Sequence, residues 1–252
     1  MAISDKLTKL STDITNAYNS VQEKGGTIPA NKNTENLSSS ISSIKSYEDE
    51  YLKLITGRKW YYNPTNLPSG ITKIDEYAFA GCTSLALTSL PDSVEYIASY
   101  AFYNCTNLAL TSLPNSISGT GSYVFYNCTN LALTSLPRNL QYINNSVFEG
   151  CTSLTITELP ISCTKIYSDG LNGCTGITEL TLHENFTMLS DLRNCSNLTT
   201  LKLLSSTPPE LLNGNAFDGC TKLTRIEVPS ASLETYRTAQ NWSNYADIMV
   251  GV

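Results

Sequence analysis

From residue 66 onward the apolar positions fall into columns that return at a nearly fixed interval. Take Cys82, Cys105, Cys128, Cys151, Cys174, Cys195 and Cys220 as origins; they are spaced by 23 residues over the first four intervals, then by 21 and 25. Three residues before each stands an apolar anchor: Phe79, Phe102, Phe125, Phe148, Leu171, Leu192 and Phe217. Three after stand Leu85, Leu108, Leu131, Leu154, Ile177, Leu198 and Leu223. Eight after stand Leu90, Leu113, Leu136, Leu159, Leu182, Leu203 and Val228. A slot that stays apolar through every copy faces inward. The leucine region therefore predicts the strand of each unit, laddering on its neighbours at about 4.8 Å. Proline follows at Pro68, Pro91, Pro114, Pro137, Pro160 and Pro229. With no N–H to give, it ends the ladder there. A second pair of apolar columns returns past the proline: Ile71, Val94, Ile117, Leu140 and Cys163, then Ile74, Ile97, Thr120, Ile143 and Ile166. Cys163 reads here as a small hydrophobe.

Three copies are nearly identical, CTSLALTSLP at Cys82–Pro91 and CTNLALTSLP at Cys105–Pro114 and Cys128–Pro137. A short period with leucines at fixed offsets marks a leucine-rich repeat solenoid. Each unit buries its apolar face only against its neighbours, so stability is roughly a sum over them. The residue before each cysteine is Gly81, Asn104, Asn127, Gly150, Gly173, Asn194 or Gly219. Only glycine and asparagine appear, which predicts a left-handed turn residue in every unit. Asn104-Cys105-Thr106 and Asn127-Cys128-Thr129 are also glycosylation sequons. Free exchange with glycine favours the turn reading.

The first residues follow another rule. Residues 3–24 predict a helix with a heptad seam of Ile3, Leu7, Leu10, Ile14, Ala17 and Val21. Gly25-Gly26 ends it, and Asn33–Ile44 offers a second, shorter helix. The pair can fold on itself or join a bundle between chains. The lack of a second long helix favours a homo-oligomer, its order open, a trimer included. The expected organisation is a helical oligomerisation or attachment head over 1–46, a junction and N-terminal cap over 47–65, the solenoid over 66–230, and a C-terminal cap over 231–252. Leu233, Tyr236, Trp242 and Tyr245 are the residues available to cover the last coil. The fold class is a β-rich solenoid of leucine-rich repeats with an N-terminal helical segment.

The stretches Tyr77-Ala78-Phe79-Ala80-Gly81-Cys82 and Tyr100-Ala101-Phe102-Tyr103-Asn104-Cys105, each followed by leucines and proline, resemble the BspA-like class of bacterial leucine-rich repeats. That resemblance implies the solenoid and a recognition role, without fixing one ligand. The head, through Ile14-Thr15-Asn16-Ala17-Tyr18 and the run from Lys24 to Asn33, resembles helical heads of tail and baseplate-region proteins of phages of Gram-positive bacteria. It implies a virion component made in the bacterial cytoplasm, with the head on a neighbouring tail or baseplate protein. The alternative is an adhesin or host-interaction protein at the bacterial cell surface. The residues after Met1 lack the apolar run of a signal peptide, which weighs against that alternative.

Composition narrows function further. Of 252 residues 15% are charged, and the net charge is −6. Nucleic acid would want a basic stripe, so it is not an expected partner. No apolar run reaches membrane-spanning length, so no insertion is expected. There is no CxxC, HExxH, GxSxG or phosphate-cradling glycine loop. No catalytic residue, metal or cofactor is expected, and the chain reads as non-enzymatic. His183, the single histidine, occupies a proline slot and reads as an exposed turn residue without a catalytic partner. Acidic residues read as solvated singletons. Seven of the eight cysteines share one slot. Their parallel Cβ vectors bridge poorly, which predicts a reduced, buried ladder.

Tyrosine stands out. Tyr77, Tyr100 and Tyr123 share the slot five before the cysteine, Tyr103 and Tyr126 the slot two before, and Tyr96 and Tyr142 stand five past proline. Later copies use Ser146, Asp169 and Asn215 in the first of these slots, and Glu149, Asn172 and Asp218 in the second. Slots that accept charge face solvent, so the rings predict a partly exposed stripe over the first half of the array. Two readings stand. The stripe recognises a host cell-surface glycan or protein, or the rings stack on one another for stability.

Overall fold

The structure, a computed structural model, describes residues 66–67 and 69–252. The head with its seam at Ile3, Leu7, Leu10, Ile14, Ala17 and Val21, and the junction, lie outside the described residues.

The described chain winds as a parallel β-solenoid. The strands β1 (Lys73–Ile74), β2 (Tyr96–Ile97) and β3 (Gly119–Thr120) form one ladder. A second contains β4 (Tyr142–Ile143), β5 (Lys165–Ile166), β7 (Met188–Leu189) and β9 (Glu210–Leu211). A third runs β6 (Glu179–Leu182), β8 (Thr200–Leu203), β10 (Arg225–Val228) and β11 (Met249–Gly251). Every pairing is parallel and in register with the repeat, as in Ile74↔Ile97, Ile143↔Ile166 and Leu180↔Leu201.

The leucine region is the strand only in the last units, which corrects the reading that it is the strand throughout. After Cys174, Cys195 and Cys220 the inward residues alternate: Leu180 and Leu182, Leu201 and Leu203, Ile226 and Val228. That is the period of a strand. In the earlier units the inward pairs are Leu87 and Leu90, Leu110 and Leu113, Leu133 and Leu136, and Ile156 and Leu159. Residues three apart cannot both point to one face of a strand. The backbone therefore leaves strand geometry between them, yet still buries Leu87, Leu110, Leu133 and Ile156. A lone bridge, Glu158↔Thr181, leads into β6.

The early strands lie instead on the return side of each unit. Their inward residues Ile74, Ile97, Thr120, Ile143 and Ile166 are all buried. Thr120 is the odd member, and its Oγ1 is buried without a hydrogen-bond partner. Thr120→Val keeps the shape and removes a desolvated hydroxyl. It is expected to raise the unfolding free energy by about 1 kcal/mol in urea titrations; a lower value would show that the hydroxyl is satisfied.

The anchors stack. Phe79, Phe102, Phe125 and Phe148 lie face to face with centroids 5.2, 5.4 and 5.6 Å apart. The turn before each cysteine is left-handed as the glycine and asparagine pattern predicts. Gly81, Asn104, Asn127, Gly150, Gly173, Asn194 and Gly219 have φ between 55° and 79°. Asn127 Nδ2 also donates to Asn104 Oδ1 at 3.1 Å, so both sequon asparagines are built into the turn.

The cysteines are unbridged, and all but Cys82 are buried. From Cys105 onward each Sγ–H of the repeated slot donates to a carbonyl of the preceding unit. The acceptors are Phe79, Phe102, Phe125, Phe148, Leu171 and Leu192, at 3.0–3.2 Å. Such a hydrogen bond explains why a thiol, rather than an alanine, recurs there. Burial pushes the Cys105 and Cys163 thiols up to about 12, and raises those of Cys128, Cys151 and Cys174 as well. A raised folded value stabilises the fold fully below the unfolded thiol value of about 8.5, and that stability is lost as pH climbs from there toward the folded value. Thiol titration of native protein is expected to find few reactive groups, and all eight after denaturation without reductant. The urea midpoint should fall between about pH 8 and about pH 10. Disulfide-linked peptides in the denatured sample would overturn the ladder.

Past β10 the chain makes a 3-10 turn (Ser230–Ser232), the short helix α1 (Leu233–Thr238), a second 3-10 stretch (Trp242–Ile248) and β11. Tyr236 and Trp242 are buried, with Tyr236 Oη on the Ser205 carbonyl at 2.9 Å and Trp242 Nε1 on the Pro209 carbonyl at 2.7 Å. Tyr245 packs edge-on against Phe217, with centroids 4.7 Å apart. These aromatics cover the anchor column where no further unit follows.

Candidate recognition surface

The tyrosine slot five before the cysteine has a backbone demand that residue type did not reveal. Tyr77, Tyr100 and Tyr123 are left-handed, with φ of 58°, 59° and 59°. Ser146 and Asp169 continue the slot at 53° and 58°. A bulky residue there is unusual. The turn is held by its neighbours: Tyr100 N–H donates to the Ser122 carbonyl at 3.0 Å, and Tyr123 N–H to the Asn145 carbonyl at 2.9 Å, each one unit ahead. The serine and aspartate later in the slot are the signal that could have exposed the conformation. The slot is not uniformly solvent-facing either, because Ser146 is buried.

The rings form a double ladder. Tyr77 stacks on Tyr100 at 4.8 Å and Tyr100 on Tyr123 at 4.9 Å, nearly parallel. Tyr103 stacks on Tyr126 at 4.8 Å, and tilted contacts join Tyr100 to Tyr103 and Tyr123 to Tyr126. Both faces of Tyr100 are therefore covered. Partial burial, then the neighbouring Tyr77 and Tyr123 phenols, raise the Tyr100 hydroxyl above its ordinary value. The Glu149 carboxylate, then burial, does the same at Tyr126. What this ladder shows outward is ring edges and hydroxyls, together with half of Tyr77.

Tyr96 and Tyr142 belong to a different group. They are the outward residues of β2 and β4, 41% and 37% exposed. Along the register the outward positions read Lys73, Tyr96 and Gly119 in the first ladder, then Tyr142 and Lys165 in the next. Tyr142 meets Tyr167 edge-on at 5.9 Å.

Two readings of polar residues need correction. His183 is buried, not exposed. Its Nδ1 accepts from Asn185 N–H at 3.2 Å, which leaves Nε2 as the donor to the Cys163 carbonyl at 2.9 Å. The ring ties two units together, in a slot where proline supplies only a turn. Nor is Asp191 a solvated singleton. It is 1% exposed in a slot that elsewhere holds alanine, valine or glycine, and Arg193 lies 3.7 Å from it while bonding Asp169 at 2.6 Å. Burial of that carboxylate is offset by the guanidinium and by Ser190 Oγ at 3.2 Å. Among the described residues no group of three or more His, Cys, Asp or Glu side chains could hold a metal ion, and no helix is long and apolar enough to cross a membrane.

Stacked short units, a cysteine–asparagine turn and an outward row of aromatics define a leucine-rich repeat scaffold. A family described as BspA type Leucine rich repeat region matches residues 59–178 and 120–244 in six copies, and the chain belongs to that family. Among solved structures it is similar to a leucine-rich repeat protein of T. pallidum, with 27% identity and a TM-score of 0.46, covering 56% of this chain and 70% of that one. It is similar to a leucine-rich repeat protein of Bacteroides ovatus at 20% identity and a TM-score of 0.41, covering 65% and 54%. A leucine-rich cell surface protein of Faecalibacterium prausnitzii is similar at 21% identity and a TM-score of 0.39, covering 74% and 51%. The chain thus spans about half the length of the last two. No curated protein matches it.

Proposed function

We propose that this chain is a non-enzymatic recognition protein whose solenoid contacts a glycan or protein at a cell surface through its tyrosine-bearing side. The observation that carries the reading is the concentration of partly exposed rings in early units, at slots where later units use polar residues. Tyrosine offers rigid amphipathic contact at low entropic cost. Membership of the BspA type repeat family supports a scaffold role. A bacterial cell-surface protein that meets host or neighbouring surfaces needs only the described array, and it is the reading we place first. The second is a phage tail or baseplate component, favoured by the resemblance of the head over residues 1–46, which would bind a neighbouring tail protein or self-associate. The test is capture of isolated bacterial envelopes and of animal-cell surfaces by the purified full chain, with antibody labelling of intact bacteria and of phage particles. Labelled bacteria support the first reading and labelled particles the second. Capture of neither surface would sink the recognition role. Light scattering of the full chain should show a mass above one protomer if the heptad seam associates.

A further inference from the structure

We infer that the solenoid is built with a hinge. Between the units of Cys128 and Cys151 its return side opens, and the units that hold the tyrosine ladder tilt as one block against the rest of the array. Backbone pairing leads there, whether or not the tyrosines meet a partner.

Every other joint of the described return side is closed by one recurrent backbone rung. Ala98 N–H donates to the Ile74 carbonyl at 2.8 Å, Gly121 to Ile97 at 2.8 Å, Tyr167 to Ile143 at 2.8 Å, Ser190 to Ile166 at 2.9 Å and Leu212 to Leu189 at 3.0 Å. The donor that should follow Gly121 is Asn144, and its N–H makes no such bond among the described residues. Strands β3 and β4 do not pair, so the return ladder falls into two sheets. The register has not slipped, since Gly119-Thr120-Gly121 and Tyr142-Ile143-Asn144 stand 23 residues apart. A side chain takes the place of the rung: Asn144 Nδ2 donates to the Thr120 carbonyl at 2.6 Å. Gly121 gives the cause. A Cβ there would run into the Ser99 backbone, so glycine lets this segment close on the unit before it, where Ser122 N–H also reaches Ser99 Oγ at 3.1 Å. The same approach draws the segment away from the unit after it. Gly119 offers no side chain to cover the gap, and the Tyr142 ring packs the other way, on Tyr167.

The rest of the joint stays closed. Tyr123 and Phe125 N–H donate across it to the Asn145 and Val147 carbonyls at 2.9 Å, and Cys151 Sγ–H to the Phe125 carbonyl at 3.0 Å. On the leucine side Thr155 N–H donates to the Leu133 carbonyl at 3.0 Å. Motion about these closed edges opens the return side alone, as in a hinge where a few residues at element ends absorb the change. Thr120 favours the motion. Its buried Oγ1 has no partner while the joint is shut, and it gains water when the joint opens. The joint also falls where the ladder Tyr77–Tyr100–Tyr123 ends, so the stacked rings move together.

The test is double electron–electron resonance between spin labels on the full chain, in a Cys82→Ser background whose other native thiols are buried. One pair, at Lys73→Cys and Lys165→Cys, spans the joint on the return side. The other, at Ser89→Cys and Thr181→Cys, spans it on the leucine side, the labels of each pair about 20 Å apart. The return-side distance distribution should be about twice as broad as the leucine-side one. Asn144→Ala removes the side chain that bridges the gap and should broaden it further. Thr120→Val removes the orphan hydroxyl and should narrow it. Neither should move the leucine-side pair. If Asn144→Ala fails to fold by circular dichroism, Asn144→Asp, which keeps the size and loses the donor, serves for the same comparison. In hydrogen exchange of the unlabelled chain, residues 141–144 should exchange about tenfold or more faster than residues 164–167. Equal widths on the two sides, a return-side width that neither substitution changes, or equal protection of the two segments would overturn the hinge.

Discussion

Phe125→Ala is expected to lower the unfolding free energy by about 3–5 kcal/mol. Phe125 is fully buried between Phe102 at 5.4 Å and Phe148 at 5.6 Å, so truncation unstacks two contacts and leaves a cavity in mid-array. In a scaffold held by nearest-neighbour terms, a weak joint near the middle also uncouples the halves. Urea unfolding followed by circular dichroism should therefore show a lower midpoint and a shallower transition. A loss below about 1 kcal/mol would mean that the column collapses around the gap and that the stack is not the spine of the fold.

The second large effect concerns the ladder of tyrosines. Changing Tyr100, Tyr103, Tyr123 and Tyr126 together to serine removes every ring contact among them and with Tyr77. At about 0.5–1.5 kcal/mol for each of these five pairs the loss should be about 2.5–7.5 kcal/mol. The backbone itself should tolerate the change at Tyr100 and Tyr123, because Ser146 adopts the same left-handed turn with φ of 53°. If the rings also meet the partner, envelope capture should fall about tenfold or more at temperatures where the variant is folded. Capture at wild-type level beside a lowered melting temperature would assign these rings to the scaffold alone. The search would then move to Tyr96 and Tyr142, which take no part in the ladder.

Much of the array is legible in the sequence, because one physical demand repeats. The phenylalanine column, the leucines at three and eight past the cysteine, and the glycine or asparagine turn each answer to a single requirement of burial or backbone conformation. What escapes is whatever depends on an offset of one residue. Leu87 and Leu180 serve the same interior, yet Leu87 stands five past its cysteine and Leu180 six. That shift decides whether the segment can alternate as a strand. His183 misleads because the proline it replaces is a turn residue, whereas its ring turns inward to the Cys163 carbonyl. Asp191 misleads because the short unit before Cys195 places a carboxylate where its neighbours place Gly170 and Ala216, and only the approach of Arg193 shows how. For the candidate surface, the slots are legible and the ring geometry is not. Nothing in residue type separates the stacked Tyr100 from the open Tyr96; strand register and turn conformation do.

The central claim is that recognition uses the tyrosine-bearing side of the solenoid. Hydroxyl-radical footprinting of the full chain, with and without the captured surface material, tests it most directly, because tyrosine side chains report their own accessibility. The account predicts protection of Tyr77, Tyr96 and Tyr142, the most exposed rings, and of the edges of Tyr103 and Tyr126. Leu204 and Leu212, exposed far along the array, should be unchanged. Protection confined to the late units or to the Ala-Leu-Thr-Ser segments, with the tyrosines oxidised as in the free protein, would contradict it.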